Sequence, residues 1–406
     1  MSDTHHTPHA TRRRGNEQRR ALPIVLTVVA FVLVAGVAYV GGMLAAGGLT
    51  STIAKLTGQT DLDLSSVQET YHALARNFDG ELDSQLLIEG ASRGLVEAAG
   101  DQYTVYMNAE EATAFDNSLT GNIGGGIGVE VGIRNDVPTV VRVLEDNPAQ
   151  KAGIQVGDII AEVNGENTLD ATLSEVVTAI RGEEGTTVQL AMIRDSDTKD
   201  FSVTRATINN PSAYGEVRDG VGILTVSRFD NDTGSLARAV ARDFVAQGVK
   251  GVVLDLRGNG GGYVTAAQSL AGIWLDNKVV VTERTGTKVV DELKTGSTPI
   301  LEGVPTVVLV NESSASASEI VAGALHDYDA ATLVGTTTFG KGSVQKLVNL
   351  QDDAVLKVTI ARWYTPNGHN ISEKGIDPDV VVERTVEDVN ASRDPQLDAA
   401  LGALQE

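Results

Sequence analysis

The chain has no cysteine, which excludes disulfides, a thiolate nucleophile and cysteine-bound zinc, and leaves the redox compartment undetermined. Basic residues are scarce: 32 Lys and Arg stand against 54 Asp and Glu, for a net charge of −22. Nucleic-acid binding needs clustered Lys and Arg on phosphates, so this body is a poor candidate for it. Histidine is short as well. Of six, His5, His6 and His9 lie in a polar N-terminal tail, leaving His72, His326 and His369 as the only candidates for a histidine base. What is present is enough to fold: 406 residues, 42% apolar and 21% charged, suit two or three domains with sizeable cores.

Charge is absent from Ala21 to Ala54, and Ile24 to Leu44 reads IVLTVVAFVLVAGVAYVGGML. A bilayer takes about 20 such residues. Arg12, Arg13, Arg14, Arg19 and Arg20 precede the run, which predicts a cytoplasmic N-terminus and an extracytoplasmic remainder by the positive-inside rule. A cleaved signal peptide is the rival, since Ala45, Ala46, Gly47 and Gly48 are small; the apolar region of such a peptide is typically about 7–15 residues, so the length favours an uncleaved anchor. Residues 1–20 are then a cytoplasmic basic tail and 21–46 a transmembrane anchor.

Residues 58–118 show helical periodicity, with Val67, Tyr71, Leu74 and Phe78 on one stripe and Leu86, Leu87, Ala91, Leu95 and Ala98 on another. A helical pair turning at Asp79-Gly80 is predicted, as a spacer or dimerisation element without chemistry. His72 there reads as a surface or packing residue.

Between 119 and 207 the texture becomes short β-branched runs broken by glycine, with one helix over Leu173 to Ile180. Gly124 to Gly128 (GGGIG), NPAQKAGIQVGDIIAEVNG (Asn147 to Gly165) and Ile180-Arg181-Gly182 resemble a PDZ domain. A glycine-rich turn before a strand leaves N–H groups free to hold a C-terminal carboxylate, and the strand edge can pair with an extended peptide. Alone, the glycine run would be an ordinary turn; the GDIIAEVNG segment at its distance makes the difference.

From 208 to 385 strands and helices alternate. Val252 to Leu256 and Val307 to Val310 read as strands buried on both faces of an α/β core. One strand runs into Leu256-Arg257-Gly258-Asn259-Gly260-Gly261-Gly262, another into Asn311 and the serine-rich SASASEI, Ser314 to Ile320. Glycine N–H groups and a helix start at strand ends are places to stabilise a developing oxyanion. FGKGSVQ, Phe339 to Gln345, adds a glycine-flanked lysine that could serve a serine as base. Neither GNGGG nor FGKGS has the glycine spacing of a nucleotide-binding loop.

LDLRGNGGG, SASASEIVAGAL, VGTTTFGKGSVQ and ARWYTPNGHNISEKGIDPDVVV, in that order behind a PDZ-like module, resemble the carboxyl-terminal processing (tail-specific) proteases of peptidase family S41, over roughly residues 60 to 385. The resemblance implies a Ser/Lys dyad of Ser316, the middle serine of SASAS, and Lys341, the lysine of FGKG. It makes Gln345 the residue that orients the lysine amine and implies an oxyanion hole from the amide of Ala317 with Gly261 or Gly262. It also implies that Gly126, Ile127 and Gly128 bind the substrate's terminal carboxylate and that Arg181 couples the module to the active site; otherwise an arginine after a helix is a solvated cap. The chemistry agrees, because a lysine acts as base once burial lowers its pKa, and Phe339 is read as part of that apolar setting. Ser313, Ser314 and Ser318 read as capping or packing residues, with Glu319 at the helix terminus.

The expected architecture is an α/β (α+β) protease core with an inserted β-rich PDZ domain, preceded by a helical segment and one N-terminal transmembrane helix. No metal or cofactor is called for. The expected partners are protein substrates with apolar C-terminal tails and the membrane, with a homodimer and an adaptor protein as further candidates. A non-catalytic PDZ scaffold is the rival reading; acyl-thioester chemistry on the same core is a second, disfavoured by the peptide-reading module. Residues 386–406, an Ala/Leu-rich helix after Asp394-Pro395, carry no recognised motif.

Overall fold

The computed structural model describes residues 62–121, 124–296, 298–372 and 374–405. The apolar run 24–44 lies outside them, and among the described residues no helix is long and apolar enough to cross a membrane. The described residues up to Ser84 belong to one unit and those from Gln85 to another. The first contains α1 (Ser65–Asn77), whose stripe of Val67, Tyr71, Leu74 and Phe78 is exposed.

The second unit opens with α2 (Ser84–Glu97), β1 (Val105–Met107) and α3 (Ala109–Thr120). Helices stand on either side of Asp79-Gly80, but the helical stretch does not run on unbroken. β1 interrupts the helical pattern because its residues 105 to 107 pair antiparallel with Lys357, Leu356 and Val355 far along the chain; local periodicity cannot show a strand whose partner is 250 residues away.

The β-rich module comprises β2 (Gly125–Gly126), β3 (Val129–Arg134), β4 (Val137–Val143), α4 (Pro148–Ala152), β5 (Ile159–Val163), β6 (Glu166–Asn167), α5 (Leu173–Ile180), β7 (Thr187–Arg194), β8 (Asp197–Thr204) and β9 (Ala206–Thr207). Its sheet runs β3-β4-β5-β7-β8. α5 is fixed at its start by a capping box, Thr172 with Glu175, and buries Val176 and Ile180 against Ile160, Leu190 and Met192.

The core has β10 (Ala213–Arg218), β11 (Val221–Val226), α6 (Thr233–Gln247), β12 (Gly251–Asp255), α7 (Val264–Ala271), β13 (Val279–Thr285), β14 (Lys288–Lys294), β15 (Thr306–Val310), α8 (Ala317–Asp327), β16 (Thr332–Gly335), β17 (Ser343–Asn349), β18 (Val355–Tyr364), β19 (Val380–Val381), α9 (Val386–Asn390) and α10 (Pro395–Ala403). One sheet is ordered β10-β11-β12-β15-β16-β19, parallel from β11 onward. The second, antiparallel sheet is ordered β1-β18-β13-β14, with β17 also on β18.

The middles of the parallel strands are runs of apolar residues because both faces are covered, with Asp255, Thr306 and Thr332 at strand ends. Leu224, Val252, Leu254, Val308 and Val310 face the cluster containing α6, α7 and α8. Val253, Val307, Leu309 and Val334 face the other way, onto Leu397, Ala400 and Leu401 of α10. The unassigned C-terminal stretch is therefore the lid of the sheet's second face. Side chains alternate across a strand, so a run of valines and leucines with no polar alternation demands a second cover.

Candidate active site

In open α/β sheets, sites form beyond the carboxyl ends of the parallel strands, and here two turns meet at that end. After β12, Arg257 is held by Asp255 (2.6 Å), Asp394 (2.7 Å) and Gln396 (3.1 Å). Burial alone would lower its pKa; the two carboxylates more than offset that and raise it. The C-terminal helix thus grips the residue immediately before the glycine turn.

Asn259, fully buried, shapes that turn. Its side chain donates to the Val226 carbonyl and accepts from Gly261 N, while its own carbonyl accepts from Ala315 N and the Ser318 hydroxyl. Ser314 donates to the Leu256 carbonyl. Ser314 and Ser318 are therefore rivets between the glycine and serine turns. Gly261 packs so tightly that a Cβ there would lie 2.8 Å from that of Ser316 and 3.1 Å from Ala317 N.

Ser316 sits at the start of α8 with φ 55° and ψ −111°, a conformation that costs roughly 1–3 kcal/mol for a residue with a side chain. Surrounding contacts must hold it there, and Glu319 supplies one. This fully buried carboxylate accepts from Ser316 N (2.8 Å), Gly340 N (2.7 Å), Lys341 N (2.9 Å) and the Thr338 hydroxyl (2.6 Å). Burial pushes its pKa up, while the four donors pull the other way. Glu319 does cap the helix as read from the sequence, but half of its bonds go to the lysine segment. The Ser-x-x-Glu spacing was a signal for the first role and could not show the second.

Ser316, Lys341 and Gln345 line one cavity of about 490 Å³, with Gly261, Gly262, Tyr263, Leu347, Lys357 and Trp363. Burial lowers the pKa of Lys341 from its usual 10.5; the nearby Lys357 adds to this and Glu319 opposes it. Phe339, expected to help bury that amine, is 55% exposed; the apolar wall comes from Trp363, Leu347 and Tyr263, which chain proximity could not reveal. The Gln345 amide nitrogen donates to the Tyr103 carbonyl (2.8 Å).

Of the two glycines, Gly261 gives its N–H to Asn259. Gly262 forms a parallel bridge with Phe229 in which its neighbours Gly261 and Tyr263 make the hydrogen bonds. The N–H of Gly262 therefore has no partner among the described residues.

The segment before the β-rich module, read as lacking chemistry, contributes Phe115, Ser118 and Leu119 to this cavity. The reason is the long-range pairing of β1, which brings α3 to the site. Gly126, Ile127, Gly128 and Arg181 line a separate cavity of about 260 Å³ between β3 and α5. His326 lies away from both, on Asp379 (3.1 Å).

The architecture is a mixed α/β protease fold carrying a PDZ domain. The model of peptidase family S41 matches residues 220–382, that of the PDZ domain 125–204, and that of the activating protease CtpB N-terminal domain 33–111. A "Probable CtpA-like serine protease" of Staphylococcus epidermidis is 37% identical over 323 residues, covering 79% of this chain and 65% of the relative. One of Staphylococcus aureus is 34% identical over 362 residues, covering 88% and 70%. The solved photosystem II D1 C-terminal processing protease superimposes with a TM-score of 0.51 at 27% identity, over 79% of this chain and 87% of that one. The chain belongs to peptidase family S41, among its CtpA-like members; it spans 65% of the length of the first of those relatives.

Proposed function

We propose that the protein is a serine endopeptidase that cleaves proteins near their C-termini through an acyl-enzyme. The observation that carries this reading is the meeting of Ser316 and the pKa-lowered Lys341 in one cavity. Neutral Lys341 removes the Ser316 hydroxyl proton as the oxygen attacks the scissile carbonyl. The amides of Ala317 and Gly262 receive the oxyanion. The lysine then returns its proton to the departing amine of the peptide, and the neutral Lys341 amine takes a proton from the water that hydrolyses the ester and passes it to the Ser316 oxygen. Gln345 is assigned to orienting the amine.

The PDZ cavity at Gly126, Ile127 and Gly128 is assigned to substrate tails, with Arg181 at its rim as the link to the core. Comparing activation by tail peptides in wild type and Arg181→Ala checks that link; identical activation removes it. The N-terminal apolar run supports a membrane anchor with the catalytic body outside the cytoplasm, and the exposed stripe of α1 is where a second copy would pack.

Incubating the protein with an unstructured substrate ending in apolar residues, and weighing the products intact, tests the reading. Wild type should shorten the C-terminus, and Ser316→Ala and Lys341→Ala should not, while both remain folded. A scaffold would leave all three indistinguishable.

A further inference from the structure

The catalytic cavity has a charge asymmetry that the dyad does not use. Among the described residues it is lined by three basic side chains, Arg228, Lys341 and Lys357, and by no acidic one, in a chain of net charge −22. Like-signed groups in a cleft with low-dielectric walls focus their field into it. Two of the three cations have an occupation. Arg228 pairs with Asp230 (2.9 Å) and donates to the Asn210 carbonyl. Lys341 must be neutral to act as base.

Lys357 is left. It stands half-buried on β18, opposite Val105 of β1 and Leu347 of β17. Its ammonium lies 5.0 Å from the Phe115 ring centre, and among the described residues it has neither an ion-pair partner nor a hydrogen-bond acceptor. An aromatic face is a modest partner for an ammonium that carries three donors. Burial lowers its pKa, a shift that an incoming anion would reverse.

A second observation points the same way. Ser343 lines the same cavity from β17 and is 4% exposed, yet its hydroxyl has no hydrogen-bond partner. Buried hydroxyls without partners are uncommon and ask for a ligand. Ser343 stands opposite Arg362 and Lys357 opposite Leu347 on the β17–β18 ladder, so the cavity holds two separate donors without an acceptor among the described residues.

We infer that Lys357 binds a carboxylate of the substrate tail inside the catalytic cavity and so fixes the distance from that negative charge to the bond cut at Ser316. The inference rests on the protease reading above. A cavity of about 490 Å³ is in the range that encloses a drug-sized ligand, so it takes a short stretch of peptide. Phe115, Leu119, Leu347 and Trp363 supply apolar wall for the tail's side chains, and Lys357 supplies the charge. The carboxylate is either the chain end or an Asp or Glu side chain near the cut. In both cases Lys357 is a specificity residue, distinct from the carboxylate reader of the PDZ domain.

The test uses the full-length chain in mild detergent with one peptide made in four forms: free C-terminal acid or C-terminal amide, each with Asp or Asn near the cut. Wild type should show kcat/KM on the order of tenfold higher for the form carrying the recognised carboxylate, the size expected of one charge-assisted contact. Dependence on acid against amide identifies the chain end; dependence on Asp against Asn identifies a side chain. Lys357→Met should bring that ratio to about one whatever its overall rate, Lys357→Arg should keep it, and Lys357→Gln, whose side chain stays polar, should repeat the Met result. Wild type cutting all four forms equally, or Lys357→Met keeping the full ratio because the PDZ domain alone reads the carboxylate, overturns the inference and leaves the protease intact. No cleavage of any form removes both.

Discussion

Glu319 accepts hydrogen bonds from the backbone N–H groups of both Ser316 (2.8 Å) and Lys341 (2.9 Å) on the same oxygen. A single buried carboxylate therefore sets the separation of two segments 25 positions apart in sequence. Because four donors converge on it, its oxygens are filled as acceptors, and a side chain that brings its own N–H there has to oppose one of them.

Glu319→Gln is accordingly expected to be far from conservative. One amide N–H would face donors, at a cost of about 1–3 kcal/mol for each buried group left unpaired. Activity should fall by at least tens of fold, with a lower Tm. Measuring kcat and thermal unfolding together checks this, and an unchanged kcat would refute the positioning role.

The lowered pKa of Lys341 fixes the direction of the pH profile. The base works deprotonated, so kcat/KM should rise with pH through the folded-state value, which lies below 10.5. Between that value and 10.5 the unfolded chain binds the proton and the native chain does not, so Lys341 also makes stability rise with pH there. Lys341→Arg, which stays charged, should abolish the ascending limb along with activity. An ascending limb in wild type at the ordinary lysine value would count against the assignment.

Gly261→Ala should impair catalysis more than folding. At φ 100° a side chain is strained, and its Cβ would press on Ser316 and on the Ala315 carbonyl at 2.8 Å. Most of the displacement falls on the Ser316 turn, so a loss of a hundredfold or more in kcat with about 1–3 kcal/mol of stability is expected. Urea unfolding set beside single-turnover cleavage checks the split.

Asp394→Ala weakens the clasp between the C-terminal helix and the glycine turn, leaving Gln396 as its remaining bond to Arg257. Arg257 retains Asp255 but loses a pair that is only partly exposed, for about 1–3 kcal/mol. The Asp394 pKa is lowered, since Arg257 and Leu397 N outweigh the effect of burial. Its contribution is therefore present above the ordinary carboxylate value and is lost as pH falls through the lowered one. The difference in stability between wild type and Asp394→Ala should shrink on acidification; a constant difference would show that packing, not charge, is what Asp394 supplies.

Much of the fold was legible in the chain because its signals are local. The runs Val252 to Leu256 and Val307 to Val310 became strands within a residue of those bounds, and Leu173 to Ile180 became a helix between a capping Thr and Arg181. The serine and lysine segments stood out because a helix start and a glycine-flanked lysine need particular residue types at particular offsets. Hidden from the sequence were the long-range closures: β1 on β18, the Arg257–Asp394 clasp, Glu319 spanning two turns, and Lys357 and Phe115 meeting over the cavity. Hydrogen bonds and burial between segments from 25 to about 250 residues apart leave no period and no spacing. The sequence by itself determined which chemistry is available, a hydroxyl and an amine with no thiol and almost no histidine; only the tertiary structure decided how deeply that amine is buried and what else shares its cavity, because desolvation and field strength belong to the packed assembly and not to any stretch of chain.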